Sequence, residues 1–377
     1  MNGSVFFYVQ HLLGIGHLVR ASRIAHALAE GGHAVVMAAG GVPFPGFPGP
    51  MIPTVALPPL KSSPGFAGLL DAEGKPADEE TKRRRRDELL AGFDRSEADI
   101  LLVEAFPFGR RQMRFELLPL LEKAKNRARQ PLIACSVRDI LQKGRKPERL
   151  EESVKLVEDY FDLVLVHGDP NFMRLNDSFP LADRLAVKIA YTGLVAGPPP
   201  SASSETFDVI VSAGGGAAGA ELIRCAIEAA ARLSPLLRWL IIWGPNFPKT
   251  DPDLLRRQAA ANLRMEAFRP DFGDLLAAAG LSVSQAGYNT VCDILRANCR
   301  ALFIPFAEGG ESEQTMRSMK LREMGLAEVL TEDQLTPDDL ARAIETSLER
   351  GRPRPHNLDL EGACGTREIL RRHIPKD

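Results

Sequence analysis

The sequence has little of what marks a redox, metal-dependent or membrane-embedded protein. Its five cysteines, at positions 135, 225, 292, 299 and 364, form no CxxC pair and no cluster with histidine. Isolated cysteines on apolar strands and helices read as small core residues in a reducing compartment. No cluster of carboxylates suggests a Mg²⁺ site, so no metal is expected. No apolar run approaches the roughly 20 residues that a membrane span needs. The opening MNGSVFFYVQ lacks the basic region and long apolar stretch of a signal peptide. A cytoplasmic protein is expected. Neither sign of charge dominates: 47 Lys and Arg against 49 Asp and Glu leave a net charge of −2, which gives no reason to expect nucleic acid as a partner.

What is present is alternation. Ser4 to Val9 is a β-branched and aromatic run suited to a buried parallel strand, and a helix is predicted from Leu18 to Glu30 before the strand HAVVMAA. The segment from Gly40 to Pro76 is rich in Gly and Pro and reads as largely irregular, with a short strand near Ile52 to Ala56. A charged helix from about Asp78 to Arg95, the strand ILLVEAF, a helix from Gly109 to Ala128, the strand PLIACSV, a helix near Glu148 to Tyr160 and the strand DLVLVHG complete the first half. GPPPSASSE, Gly197 to Glu205, reads as a linker. Alternation then resumes with FDVIVSAGGG, a helix from Ala217 to Leu233, WLIIWG, a short helix after Asp251 and LRMEAF, and the tail from Gly362 to His373 reads as a final helix. The fold class is α/β with two Rossmann-like domains, 1–196 and 205–361, and a ligand cleft is expected between them.

Three stretches carry chemistry. Leu281 to Met324 opens with LSVSQAG, ending on Gly287, after which Asn289 and Thr290 are placed to cap a helix to about Ala297. A strand from Arg300 to Pro305 runs into a Gly309-Gly310 loop, and Ser312 is placed to cap a helix that carries Glu313 and Gln314 at its start. Two neighbouring strands then deliver two helix N-termini to one sheet edge, where free N–H groups and partial positive charge suit a phosphorylated ligand. An ordinary βαβ unit with turn glycines has the same spacing. Ser212 to Gly219, SAGGGAAG, with Gly214, Gly215 and Gly216, lets backbone N–H groups approach a diphosphate; no Lys-Ser/Thr pair follows, so it is not a P-loop. In GIGHLVR, Gly14, Gly16 and His17 lie between a strand and a helix. With no third glycine and no acidic residue closing the next strand, this is not a dinucleotide fingerprint. His17 sits at a helix N-terminus, whose dipole keeps the imidazole neutral and able to accept a proton, although a loop or capping histidine occupies such a place equally well.

Other residues have weaker claims. His11 shares the His17 loop and reads as shaping it. Glu104, at the end of ILLVEAF, is placed to orient His17 or an acceptor hydroxyl, or is a solvated strand-end carboxylate. Arg138 and Asp139 end the next strand in the same way, and Asn246 and Phe247 in WGPNFP are placed to flank a base or ribose. The run Lys82 to Arg86 suits lipid phosphates, but the surrounding acidic residues read better as a solvated helix face.

SQAGYNTVCDIL, FIPF and the following EQ resemble the donor half of family 28 (MurG-like) glycosyltransferases, most of all bacterial members with a GYNTVCE-type motif. The resemblance implies the GT-B fold, with the last helix, 362–377, packing back on an acceptor-side first domain and a nucleotide-sugar donor in the second. It puts Asp293 where the family binds ribose hydroxyls through Glu, Gln314 where a Gln meets the donor sugar, and His17 where a base is a candidate. Two departures stand out: Asp293 is one methylene short, and Gly280 replaces the usual Asp. The implied partners are a UDP-sugar donor and an unknown acceptor, with room for a lipid-linked one and for peripheral contact with the inner face of the membrane. No other cofactor is implied. UDP-sugar hydrolases of the nonulosonic-acid pathway carry a similar Gly-x-Gly-His loop, and a non-catalytic nucleotide-sugar-binding subunit is a further alternative.

Overall fold

The computed structural model describes residues 3–12, 14–63, 68–144, 146–214, 219–244, 261–307 and 311–373. The chain divides into two compact units, Met1–Val195 with Leu358–Asp377, and Ala196–Asn357. Each is built on a parallel sheet.

The first unit follows the opening alternation closely. Strand β1 (Val5–Val9) leads to helix α1 (Gly16–Glu30), then β2 (Val35–Ala39) and β3 (Thr54–Ala56). A small hairpin, β4 (Lys61–Ser62) with β5 (Leu69–Leu70), precedes α2 (Glu79–Ser96), β6 (Ile100–Glu104), α3 (Arg114–Lys125), β7 (Leu132–Arg138), α4 (Pro147–Tyr160), β8 (Leu163–His167) and β9 (Ile189–Tyr191). The sheet order is β3-β2-β1-β6-β7-β8-β9. All five residues of β1 are buried, as a central strand covered on both faces requires. The helix predicted from Gly109 starts later, because Arg110 takes a left-handed φ of 56° and a 3-10 turn at Arg111–Met113 intervenes. The last helix, α10 (Gly362–His373), packs on α1. Its approach to the end of β9 needs glycine: a side-chain carbon at Gly365 would collide with the Thr192 carbonyl.

The second unit contains β10 (Val209–Ser212), α5 (Ala220–Ala230), β11 (Trp239–Trp243), β12 (Leu263–Ala267), α6 (Phe272–Ala278), β13 (Leu281–Ser284), α7 (Tyr288–Ala297), β14 (Ala301–Phe303), α8 (Glu313–Glu323), β15 (Glu328–Val329) and α9 (Pro337–Glu349). The sheet order is β12-β11-β10-β13-β14-β15. The short helix expected after Asp251 and the start of the helix expected from Ala217 lie outside the described residues. Strand β15 and helix α9 carry no signal singled out in the sequence. The proline-rich segment is not a loose tether: Gly197 N–H donates to Asp293 Oδ1 (3.2 Å) and Ser201 N–H to Asp274 Oδ1 (2.7 Å), so helices α7 and α6 fasten its backbone.

Candidate active site

In the first unit the register of β1 against β6 sets Tyr8 beside Val103, so β6 delivers Glu104 to the edge from which α1 starts. His17 is the second residue of α1, and no acidic side chain occupies that first turn. Its Nδ1 lies 2.7 Å from Glu104 Oε1, and Arg20, one turn further along, brings Nη2 within 2.5 Å of the same oxygen. Glu104 is fully buried and its Oε2 has no hydrogen-bond partner.

Charge fixes the protonation of this pair. Burial would raise the Glu104 carboxyl, but His17, Arg20 and Arg110 outweigh it and hold it at about 2. Burial first, and then the Arg110 cation, push His17 down to about 3 against the pull of Glu104. At pH 7 the carboxylate is therefore ionised and the imidazole neutral. A carboxylate only accepts hydrogen bonds, so Nδ1 must carry the proton, and Nε2 is left with its lone pair. The side chain is 22% exposed, enough for a small group to reach the ring. A carboxylate orienting a neutral imidazole is the arrangement of a general base and its orienter.

The neighbouring groups divide into those that act on this pair and those that build the walls. Arg110 donates from Nε to the Gln10 carbonyl (2.7 Å) and depresses both titrating groups. His11 donates from Nε2 to the Val42 carbonyl (2.8 Å), its ring against Gly41. Asp139 turns back on the Ile140 N–H (2.9 Å), a local loop contact, while Arg138 acts on Arg110 through its charge. Sequence reasoning missed a buried chain at the ends of β7 to β9. The Thr192 hydroxyl donates to the Gly193 carbonyl, His167 Nδ1 donates to Thr192 Oγ1 (2.9 Å), and Ser136 Oγ donates to His167 Nε2 (2.6 Å). Burial pushes His167 down to about 3. Its only sequence signal was a histidine closing a wholly apolar strand.

One basic residue was misplaced by the sequence. Arg85, in the middle of the run Lys82 to Arg86, is fully buried rather than solvated. It donates to Glu116 from Nε (2.9 Å) and Nη2 (2.7 Å), to Gln10 Oε1 (2.9 Å) and to the carbonyls of Gly40 and Pro58, while the Tyr8 hydroxyl donates to Glu116 (2.5 Å). It cannot meet lipid phosphates. Lys82, Arg83, Arg84 and Arg86 instead pair with acidic neighbours along the helix surface.

In the second unit, strand ends and helix starts gather at the carboxyl edge of the sheet. Ser212 closes β10, its Oγ 3.4 Å from the N–H of Gly214, which adopts a φ of 69° that favours glycine. Gly215 and Gly216 lie outside the described residues, as do Asn246, Phe247, Gly309 and Gly310. The cap of α7 is Gly287, which has no side chain to offer, and Asn289 and Thr290 lie inside the first turn, so the expected Asn-Thr cap is corrected. Ser312 does hold the cap position of α8, but the side chain that accepts the Glu313 N–H is Glu311 (2.9 Å). Gln314 Oε1 accepts from the Phe306 N–H (3.2 Å) and Asp293 from Gly197. Glu313 is buried in an ion pair with Arg317 (2.7 Å). Among the described residues no group of three or more His, Cys, Asp or Glu is arranged to hold a metal ion.

Residues 210–357 match the family model described as "Glycosyltransferase family 28 C-terminal domain". The second unit is a family 28 glycosyltransferase domain. A relative from Dichelobacter nodosus (strain VCS1703A), the UDP-N-acetylglucosamine--N-acetylmuramyl-(pentapeptide) pyrophosphoryl-undecaprenol N-acetylglucosamine transferase, is 38% identical over 94 residues, which cover 24% of this chain and 26% of the relative. The chain spans about a quarter to a half of the length of the relatives it matches. Across the whole chain the fold is that of GT-B glycosyltransferase structures. The crystal structure of Acinetobacter baumannii MurG aligns with TM-score 0.54 and 15% identity, covering 98% of this chain and 95% of that one. The spinosyn rhamnosyltransferase SpnG, solved with thymidine diphosphate, aligns with TM-score 0.60 and 16% identity, covering 99% and 97%.

Proposed function

We propose that the chain is an inverting glycosyltransferase that moves a hexose, N-acetylglucosamine foremost, from a UDP-sugar to an acceptor hydroxyl. The observation that carries this reading is the His17–Glu104 pair, a neutral imidazole held by a buried carboxylate. His17 Nε2 takes the proton of the acceptor hydroxyl as that oxygen bonds to the anomeric carbon. The bond from that carbon to the UDP oxygen breaks, and the electron pair leaves with UDP. Charge developing on the diphosphate is met by the N-terminal turns of α7 and α8. The family 28 match of residues 210–357 and the UDP-N-acetylglucosamine named for the Dichelobacter relative favour this donor. The undecaprenol-linked acceptor in that name favours a lipid-linked acceptor here and a peripheral position at the inner face of the membrane. No described helix is long and apolar enough to cross a membrane.

The same base can activate water, so a UDP-sugar hydrolase is the second reading. The two are separated by turnover of UDP-N-acetylglucosamine with and without a lipid-linked muramyl-pentapeptide. A transferase releases free sugar slowly from the donor alone and releases UDP faster when the acceptor is added. Rapid hydrolysis without any acceptor would sink the transferase reading.

A further inference from the structure

Arg317 lies inside the second unit at 0% exposure and touches both helix starts of the donor edge. It sits on the second turn of α8. Nη2 donates to Glu313 Oε1 (2.7 Å) on the first turn, and Nη1 donates to the carbonyl of Ala286 (2.9 Å), the residue before the Gly287 cap of α7. The guanidinium carbon stands 5.7 Å from the centre of the Tyr288 ring, the first residue of α7. The planar fork of arginine can hold two acceptors in fixed directions at once, which a lysine ammonium cannot.

Glu313 makes this arrangement more than a structural tie. A carboxylate on the first turn stabilises a helix but repels any anion that approaches its N–H groups. Here that carboxylate is buried and cancelled by Arg317. A further polar group waits at the same edge: Ser284, which closes β13 and is fully buried, has a hydroxyl without a hydrogen-bond partner. A buried hydroxyl of this kind calls for a bound water or ligand atom.

We infer that Arg317 is a positioning residue for diphosphate binding, locking the α7 and α8 N-termini to one another and neutralising Glu313 so that both ends face an anion. The inference rests on the donor reading of the second unit. A nucleoside without phosphates brings no negative charge to these helix ends, so the effect must track the charge of the ligand.

The test is calorimetric titration of the full chain with UDP and, separately, with uridine. In Arg317→Met the UDP affinity is expected to fall about tenfold or more, while the uridine affinity stays within about twofold. Glu313→Gln with Arg317→Met removes the stranded carboxylate and decides the matter if the single variant does not fold. UDP should then bind between the unaltered chain and the single variant, or below the unaltered chain if only the double variant folds. Equal losses for UDP and uridine, or no loss for either, would overturn the inference. Failure of the unaltered chain to bind UDP would overturn the donor reading, and the inference with it.

Discussion

Three titrating groups in the first unit are held far from their ordinary values, and all three changes act in the same direction on stability. His17 and His167 stay neutral down to about 3, against an ordinary 6.5. Between those values the unfolded chain binds protons that the folded chain refuses, so acid favours unfolding. Glu104, held at about 2 against an ordinary 4.5, contributes stability that is complete above 4.5 and lost on further acidification. The thermal midpoint is therefore expected to stay level above pH 7 and to fall progressively from about pH 6.5 downward. A midpoint that rises between pH 7 and 5 would show that these groups are not buried in the forms described. At this scale much of the site was legible. His17 and Glu104 are 87 residues apart, yet both follow strand ends, and parallel strands put all such ends on one edge. Arg110 and His167 were not legible, because their influence depends on which strands are neighbours, and local sequence does not encode that order.

Helices teach a different lesson. The run Lys82 to Arg86 looked uniform, but residues 85, 89 and 93 recur at helical spacing, and Arg85, Leu89 and Phe93 are all buried on that face. The apolar pair Leu89 and Phe93 was the available signal that one arginine of the run turns inward. Arg85→Met leaves Glu116 buried without its cation and should destabilise the first unit by about 3–5 kcal/mol, read by denaturant titration. Replacing Tyr8, Arg85 and Glu116 together with apolar residues should recover most of the loss. No recovery would mean that the contacts from Arg85 to Gly40, Pro58 and Gln10 carry the effect. In the second unit the starts of α7 and α8 were placed to within a few residues and Ser312 does hold the cap position of α8, whereas the capping side chains were not legible, since the Asn-Thr pair falls inside α7 and Glu311 accepts the Glu313 N–H. Capping depends on backbone angles at a single residue, a finer detail than periodicity can supply. If helix ends carry the leaving-group charge, UDP release should persist in EDTA, followed by a coupled assay for UDP. Activity abolished by EDTA and restored by Mg²⁺ or Mn²⁺ would count against that role.

At the scale of the whole chain, alternation of strands and helices was enough to indicate two α/β units, and the sheet orders are those of parallel, doubly covered sheets. The proline-rich stretch reads as a linker because composition reports what a segment cannot pack, not what can grip its backbone, as Asp293 and Asp274 do. The central claim is a division of labour, with the base in the first unit and the nucleotide in the second. UDP affinity and transfer rate measured side by side for His17→Ala test it most directly. The affinity should stay within about twofold of the unaltered chain while the rate falls roughly 10²- to 10⁴-fold, the share of a general base. An unchanged rate, or a loss of UDP affinity that accounts for the loss of rate, would contradict it.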